Sequence, residues 1–331
     1  MKTTRISATS LAFPQGTLSN EALADIFDGW DASKIEKKLG IKSRHVLADD
    51  EMPSDIAVQA AENLFSEQNV DRRLVDYLIF CTQAPDYLLP TTACLIHDRL
   101  GLSTSCGAVD INQGCSGFIH GLVLAKGLLE SGFAKNVLLL TADAYSKYVG
   151  KDDASVRTLF GDGASATLLT SADSTMPSDN ASSMLDYFVF GTDGSGAGSL
   201  ILANSALRRH DSSKAWDPLH MNGPEVLSFT LREVPPLQKE ILEKAQLTMD
   251  DLDFVILHQA NSFLLAQLAR KLKIPREKCL IDMEDVGNTV SSTIPIVLHR
   301  AIESRRIKRG DVGLLIGFGV GLSWGGCIIK Y

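Results

Sequence analysis

The chain has 331 residues, a formal net charge of -8 at neutral pH and a pI near 5.4. With 45% hydrophobic and 22% charged residues, it has the composition of an ordinary soluble globular protein able to bury a large core. The acidic balance argues against a general nucleic-acid surface.

The N-terminal segment and the cysteines indicate the cellular setting. Residues 1–15 are broken by Ser, Thr and Pro, and show no secretory signal pattern. The six cysteines are scattered, without a C-x-x-C pair or a His/Cys cluster at zinc spacing. We therefore expect a cytoplasmic protein with free thiols and no metal site.

Further along, the chain shows a faint internal duplication. Asp76-Tyr-Leu-Ile-Phe-Cys-Thr-Gln-Ala84 resembles Asp253-Phe-Val-Ile-Leu-His-Gln-Ala260, and each predicts a strand followed by a helix. Another strand and a glycine-rich strand pair then follow in each half. In the first half the helix, the strand and the strand pair are predicted at 92–100, 136–141 and 160–169. In the second half they are predicted at 263–272, 312–317 and 318–329.

The alternation of strands and helices predicts an α/β fold of two duplicated halves with mixed, largely parallel sheets. The polar stretch 171–183 is the candidate boundary, which gives an N-terminal half at 1–172 and a C-terminal half at 183–331. The apolar stretch 313–329 contains six glycines and predicts buried strands joined by a tight turn rather than a membrane span. Corresponding strand ends should meet at the seam between the halves, a usual place for a site.

Cys115 is the first candidate site residue. It stands in Val-Asp-Ile-Asn-Gln-Gly-Cys-Ser-Gly, where an apolar strand pattern gives way to an apolar helix. A thiol at such a junction meets the positive end of the helix and its free N–H groups, which we expect to stabilise the thiolate. The alternative is a small buried core residue, which is what most isolated cysteines are.

His258 and Asn288 are the candidate partners. His258 ends an apolar strand, and Asn288 follows an acidic turn in Gly-Asn-Thr. A neutral His and an Asn can each donate a hydrogen bond to an oxygen that becomes negative, which suits an enolate or a tetrahedral intermediate. The alternatives are a satisfied core histidine and an ordinary Gly-Asn turn.

These motifs, in order and over nearly the whole chain, resemble the β-ketoacyl-[acyl-carrier-protein] synthases III, which are thiolase-fold condensing enzymes. The matching segments are Gly40-Ile-Lys-Ser-Arg44, Leu89-Pro-Thr-Thr-Ala-Cys94, Gly114-Cys-Ser-Gly-Phe118, Phe160-Gly-Asp-Gly-Ala164, His258-Gln-Ala-Asn261, Gly287-Asn-Thr289 and Phe318-Gly-Val-Gly-Leu-Ser-Trp-Gly325. The resemblance implies a layered α-β-α-β-α fold and identifies Cys115, His258 and Asn288 as the catalytic residues.

The resemblance also implies a reaction and its partners. Cys115 would take an acyl group from a thioester, with its own N–H and that of Val320 as the oxyanion hole. His258 and Asn288 would then bind the thioester oxygen of malonyl-acyl-carrier protein, whose decarboxylation gives the enolate that attacks the acyl-cysteine. The implied partners are an acyl carrier protein, an acyl-CoA or acyl-carrier-protein donor and a second copy in a homodimer. No cofactor is implied.

For substrate contacts, the resemblance implies a pantetheine channel lined by four further residues. One of them, Leu89, would reach across the dimer interface toward the partner's acyl pocket. The channel residues are Leu89, Phe263, Gly223 and Asn261. Basic residues that follow the His258 strand, above all Arg270 and Lys271, suggest a docking site for an acidic carrier protein; the alternative is a solvated helix face.

The chain departs from the family pattern at four positions. Lys34 stands where acyl-CoA-using members have Trp, although Trp30 is close in sequence, and Ala154 stands where they have Arg. Phe263 and Val320 replace an Arg and a Gly. Donor choice between CoA and carrier protein, and acyl chain length, therefore stay open.

Three other functions are alternatives to condensation. A Cys-dependent acyltransferase would pass the acyl group to a hydroxyl, an amine or a non-malonyl carbon without decarboxylation. A non-catalytic partner subunit would be expected to lose the nucleophile, so the intact set argues against it. A cysteine hydrolase would be expected to have an acidic residue at the position of Asn288, and a Ser/His/Asp hydrolase would likewise need an acid to orient the histidine.

Overall fold

The computed structural model describes residues 4–171, 184–208 and 217–331. The strands within them are β1 (Thr4–Ala12), β2 (Thr17–Ser19), β3 (Ser43–His45), β4 (Tyr77–Cys81), β5 (Gly107–Ile111), β6 (Asn136–Asp143), β7 (Gly163–Ser171), β8 (Met184–Thr192), β9 (Leu200–Ile201), β10 (His220–Met221), β11 (Phe254–Leu257), β12 (Cys279–Leu280), β13 (Val312–Gly319) and β14 (Ser323–Lys330). The α-helices are α1 (Asn20–Ala24), α2 (Ala32–Leu39), α3 (Pro53–Glu67), α4 (Thr92–Arg99), α5 (Gly117–Glu130), α6 (Ala154–Arg157), α7 (Gly223–Ala245), α8 (Ser262–Lys271) and α9 (Thr293–Glu303).

Two five-stranded sheets in the described residues repeat one topology. The first has the order β5-β4-β6-β7-β1, and the second has the order β12-β11-β13-β14-β8. In both sheets the first three strands run parallel, and the last two pair antiparallel. Because β4 and β11 hold equivalent places, the predicted duplication is confirmed.

The sheets are mixed, as predicted, but not largely parallel, because two of the four pairings in each are antiparallel. The cause is visible at β13 and β14, where Gly319 pairs with Ser323 across a three-residue turn. So short a connection can join only antiparallel strands. The apolar stretch 313–329 is therefore the predicted buried strand pair.

The sheets and helices form five layers. Helices α5 and α9 lie between the two sheets and pack on both, through side chains such as Phe118, Leu122 and Leu298. Helices α3 and α4 cover the outer face of the first sheet, and α7 and α8 cover that of the second. The central helices are apolar on most sides because they are buried between two sheets. This arrangement confirms the α-β-α-β-α layering.

The sequence boundary between the halves stays a prediction, because residues 172–183 lie outside the described residues. On either side of it, the first sheet uses strands from 4–171 and the second uses strands from 184–330. Among the described helices, none is both long enough and apolar enough to cross a membrane.

Candidate active site

Cys115 lies in the link between β5 and α5, two residues before the helix begins. It is buried, with 4% of its surface exposed. The end of β13 passes directly over its sulfur, because a Cβ built on Gly319 would lie only 2.7 Å from Sγ. A strand of the second sheet therefore covers a cysteine that follows a strand of the first sheet. Only glycine at position 319 leaves room for this approach.

The thiol of Cys115 is less acidic than the sequence suggested. Burial raises its pKa to about 12, and the negative charge of Asp143 acts in the same direction. The backbone N–H groups of Val320 and Cys115 act in the opposite direction, since they donate to the sulfur. The expectation of a net stabilised thiolate was wrong, because desolvation in the buried pocket outweighs these donors. The same contacts place both predicted oxyanion donors at the sulfur.

His258 follows β11 and is buried, with 2% of its surface exposed. Its backbone N–H donates to the carbonyl of Ile316 at 2.8 Å, which continues the pairing with β13. Its ring packs edge-on against Phe318, and Nδ1 lies 2.7 Å from Oγ1 of Thr293. Burial lowers the pKa of His258 to about 3, so the ring is neutral at physiological pH.

Asn288 lies between β12 and α9 and joins the two halves through its backbone. Its N–H donates to Leu159, and its carbonyl accepts from Gly161. The side-chain Oδ1 accepts the N–H of Val290 at 3.0 Å. Because a backbone N–H can bond only to an acceptor, this contact identifies the oxygen and leaves Nδ2 as a donor.

The three predicted catalytic side chains meet in one cavity of about 80 Å³, here called the catalytic cavity. Cys115, His258 and Asn288 all line it, together with Phe318 and Gly319. The structure thus brings one thiol and two neutral hydrogen-bond donors from both halves to a single small space. Such a space suits a carbonyl carbon beside the sulfur and an oxygen on the donors.

A larger cavity of about 610 Å³, here called the channel, lies beside the catalytic cavity. Gly223 and Asn261 line both spaces, so the two adjoin. Phe263 lines the channel and is 53% exposed, which places it at the mouth. Three of the four predicted channel residues therefore line the channel.

The fourth predicted channel residue, Leu89, lies elsewhere. It is 83% exposed in the loop between β4 and α4, and lines neither the channel nor the catalytic cavity formed by the described residues of one chain. Its neighbours Tyr87 and Leu88 are exposed as well.

The channel mouth explains one of the departures in the sequence. Lys34 forms an ion pair with Asp31 at 3.4 Å and does not line the channel, whereas Trp30 does. The ammonium of Lys38 lies 5.8 Å from the centre of the Trp30 ring. An aromatic ring is therefore present at the mouth, but it is supplied four residues earlier than the family pattern suggested.

Arg270 and Lys271 form the last turn of α8 and are exposed. Neither is in an ion pair with a described residue. Phe263 and Arg270 are seven residues apart in this helix, so they share a face about two turns apart. The two predicted docking residues thus lie near the mouth of the channel.

Sequence reasoning missed several polar residues around the site. Thr293 contacts His258, and the buried Asp143 at the end of β6 accepts bonds from the N–H of Gln83 at 2.7 Å and from Ser291. Burial raises the pKa of Asp143 to about 7. A polar residue ending an all-apolar strand, as in Leu-Leu-Leu-Thr-Ala-Asp143, was the available signal.

Family models match two parts of the chain. The model described as 3-oxoacyl-[acyl-carrier-protein (ACP)] synthase III matches residues 109–194, and its C-terminal counterpart matches residues 242–331. Together these ranges cover more than half of the chain, and they contain all three of the predicted catalytic residues.

Similar proteins cover the whole chain. The chain is 34% identical to the β-ketoacyl-[acyl-carrier-protein] synthase III of Clostridium perfringens, over 100% of both chains. It is 33% identical to a synthase III of Deinococcus radiodurans, over 100% of this chain and 94% of that one.

Solved structures agree. One 3-oxoacyl-(acyl-carrier-protein) synthase III has a TM-score of 0.92 and 44% identity, over 99% of this chain and 100% of that one. The Aquifex aeolicus enzyme has a TM-score of 0.88 and 34% identity, over 99% and 100%. These matches confirm the thiolase fold. The chain belongs to the 3-oxoacyl-[acyl-carrier-protein] synthase III family.

Proposed function

We propose that this chain condenses an acyl thioester with malonyl-acyl-carrier protein, using Cys115 as the acyl carrier. The observation that supports this most is the convergence of Cys115, His258 and Asn288 on one cavity beside the channel. Family membership supports the same reaction over transfer to a non-malonyl acceptor.

In the first step Cys115 attacks the thioester carbonyl of the donor. A new carbon–sulfur bond forms to Cys115, the bond to the donor sulfur breaks, and the thiol proton ends on the departing thiol. The carbonyl oxygen becomes negative in the tetrahedral intermediate, where the N–H groups of Cys115 and Val320 can bind it. Binding there offsets the high pKa of the thiol, since the negative charge moves from sulfur to that oxygen.

In the second step malonyl-carrier protein binds with its thioester oxygen on His258 and Asn288. The bond to the carboxylate breaks and carbon dioxide leaves, and the electron pair forms an enolate on that oxygen. The enolate carbon then attacks the acyl carbon, the bond to Cys115 breaks, and the thiolate takes a proton from solvent. Each step balances without a metal or redox cofactor.

Thr293 contacts one ring nitrogen of His258. Its hydroxyl lies 2.7 Å from His258 Nδ1 and 3.2 Å from the carbonyl of Val290. The reaction needs the neutral ring with its proton on Nε2, a form that donation from Thr293 to Nδ1, rather than to Val290, would favour. In that tautomer Nε2–H can donate to the substrate oxygen while Nδ1 is bound to Thr293. We therefore assign Thr293 a positioning role.

The channel and its mouth support a carrier-protein partner. Gly223, Asn261 and Phe263 would contact the pantetheine arm, and Arg270 and Lys271 would contact acidic groups of the carrier protein. The arm of an acyl-CoA could enter by the same channel past Trp30. Both donors therefore stay candidates.

A homodimer in the cytoplasm completes the proposal. Strand β5 ends the first sheet with one edge unpaired among the described residues, and the exposed Tyr87–Leu89 segment is apolar. Such an edge and patch are typical of surfaces that a partner covers. Leu89 would then approach the partner's site. All six cysteines are free, which fits a reducing compartment.

Intact-protein mass spectrometry tests the function directly. The protein is mixed with short and medium acyl-CoAs, and separately with acyl-carrier proteins, and malonyl-carrier protein is then added. We expect an acyl adduct that Cys115→Ala abolishes and that Cys94→Ala, which removes an exposed thiol, retains. The adduct should convert to a β-ketoacyl-carrier protein with release of carbon dioxide.

The outcomes separate the rivals. An adduct that forms but does not react with malonyl-carrier protein would favour the acyltransferase. Absence of an adduct with every donor would contradict both the condensation and the acyltransferase function.

A further inference from the structure

A second cavity, of about 250 Å³, lies beside Cys115 and shares no lining residue with the channel. Its polar wall is formed by Gln83, Asn112, Tyr145, Tyr148 and Ser205. Leucine, isoleucine and valine side chains line the remainder. We call this space the polar cavity.

The polar cavity adjoins the nucleophile. Leu200 lines both the polar and the catalytic cavity, and Val320, whose N–H donates to the sulfur of Cys115, lines the polar cavity. A Cβ built on Gly114 would lie 2.4 Å from Oε1 of Gln83. The polar wall therefore stands against the residue that immediately precedes Cys115.

The polar wall is a directed chain of hydrogen bonds. The hydroxyl of Tyr145 donates to Oε1 of Gln83 at 2.6 Å, and Nε2 of Gln83 donates to Oδ1 of Asn112 at 3.1 Å. Tyr145 is only 3% exposed, and its ring packs on Phe160, which lines the catalytic cavity. The phenol oxygen keeps a lone pair, and the amide of Asn112 keeps its two donors, for a further partner.

Groups of this kind would favour some acyl chains over others according to the polarity of the chain. An apolar chain against the wall would displace water from the phenol and amide groups without replacing its hydrogen bonds, which is unfavourable. A hydroxyl or carbonyl on the chain would replace them. A site that hydrogen-bonds a substrate group also rejects the isosteric apolar analogue more strongly than an apolar pocket rejects a hydroxyl.

We propose that the polar cavity receives the acyl group carried on Cys115, and that it favours an acyl chain with a hydroxyl or carbonyl substituent over an apolar chain of the same shape. The inference rests on the proposed function, because it requires acylation of Cys115. The chemical step is the same thioester exchange, so no additional reactant is needed.

The test compares two donors of equal shape. 3-Hydroxybutyryl-CoA and 3-methylbutyryl-CoA differ only by a hydroxyl in place of a methyl group, and both hydroxy enantiomers are used. The same pair is prepared on carrier protein, with acetyl thioesters as a reference that carries no substituent. Rates of Cys115 acylation are followed by intact mass, and we expect one hydroxy enantiomer to react about tenfold faster than the methyl analogue.

Variants assign the preference to the wall. Gln83→Leu keeps the size of the side chain and removes the amide that links Tyr145 to Asn112, so the ratio of the two rates should fall as these two groups lose their orientation. Tyr145→Phe keeps the ring on Phe160 and removes one oxygen, and should lower the ratio partly. Gln68→Leu makes the same change at an exposed glutamine away from the cavity and should keep the wild-type ratio.

The outcomes separate this inference from the proposed function. Acylation by both donors at equal rates, or a faster reaction of the methyl analogue, would overturn the inference and leave the proposed function intact. So would a preference that Gln83→Leu and Tyr145→Phe both leave unchanged. Absence of acylation by every thioester, acetyl included, would overturn both.

Discussion

The two halves of the molecule use one topology for opposite chemical tasks. In the first half the link from β5 to the central helix α5 carries Cys115, and in the second half the equivalent link from β12 to α9 carries Asn288. Strand β4 ends in Cys81, whereas the equivalent β11 leads into His258. A duplicated fold thus provides two equivalent sites side by side, of which one presents a nucleophile and the other presents two donors.

Two glutamines that follow β4 and β11, although one residue out of step, show how far the halves have diverged. Gln259 is buried, and its amide bonds to the carbonyls of Leu257 and Leu280 and to the N–H of Asp282. Gln83 bonds instead to side chains along a cavity. One glutamine therefore supports the backbone around it, whereas the other borders a cavity.

The strongest test of this division is removal of the nucleophile. Cys115→Ala should abolish both the acyl adduct and the condensation product, because no other thiol lies in the catalytic cavity formed by the described residues. Cys327→Ala removes an equally buried thiol from β14 of the second half and should keep the adduct. Adduct mass and product assays measure both; a persistent adduct in Cys115→Ala would reverse the assignment.

The hydrogen-bond donors of the second half, His258 and Asn288, should affect mainly the condensation step. His258→Ala and Asn288→Ala should each lower the condensation rate by about 10²–10³, which is typical for loss of one oxyanion donor. Acylation of Cys115 should continue at a rate within a few-fold of wild type, as its oxyanion donors are backbone N–H groups. Single-turnover assays of each step distinguish the two, and equal losses in both steps would contradict the division.

A smaller effect is expected from the hydroxyl that holds the histidine. Thr293→Val keeps the shape of the side chain and removes the hydrogen bond to Nδ1, and should slow condensation about tenfold. Thr293→Ser should restore most of the rate. Nitrogen NMR of His258 provides the control, because a change of tautomer in Thr293→Val would not follow from a packing defect alone.

The smallest effect concerns the acidity of the thiol. A pKa of about 12 predicts that alkylation of Cys115 by iodoacetamide rises about tenfold per pH unit from about pH 7 to 9, without a plateau. Asp143→Asn removes a negative charge that raises this pKa, so the thiolate fraction and the rate at about pH 9 should rise a few-fold. A plateau below pH 9 in the wild type would contradict the burial argument.

Much of the fold could be predicted because its signals are local. The repeated pattern of Asp76–Ala84 and Asp253–Ala260 identified β4 and β11, and the glycine-rich end identified the hairpin of β13 and β14. The positions of Cys115 and His258 at strand ends were also local features. Their meeting in one cavity followed from the duplication, which places equivalent strand ends together.

The remainder depends on contacts between distant segments. The pKa of Cys115 is raised by burial beneath a strand some 200 residues later, roughly the separation of Cys115 and Gly319 in the sequence. Similarly, the pairing of Thr293 with His258 and of Tyr145 with Gln83 joins separate elements. No spacing rule within one segment predicts these pairs.

The channel beside the catalytic cavity has a kinetic consequence. If the donor and malonyl-carrier protein insert their arms through the same channel, the first must leave before the second can enter, while the acyl group waits on the sulfur. Initial-rate plots should then be parallel, as in a ping-pong scheme. Excess malonyl-carrier protein should also bind the free enzyme and inhibit the reaction competitively with respect to the donor. Use of one channel by both substrates would thus determine the order in which they react.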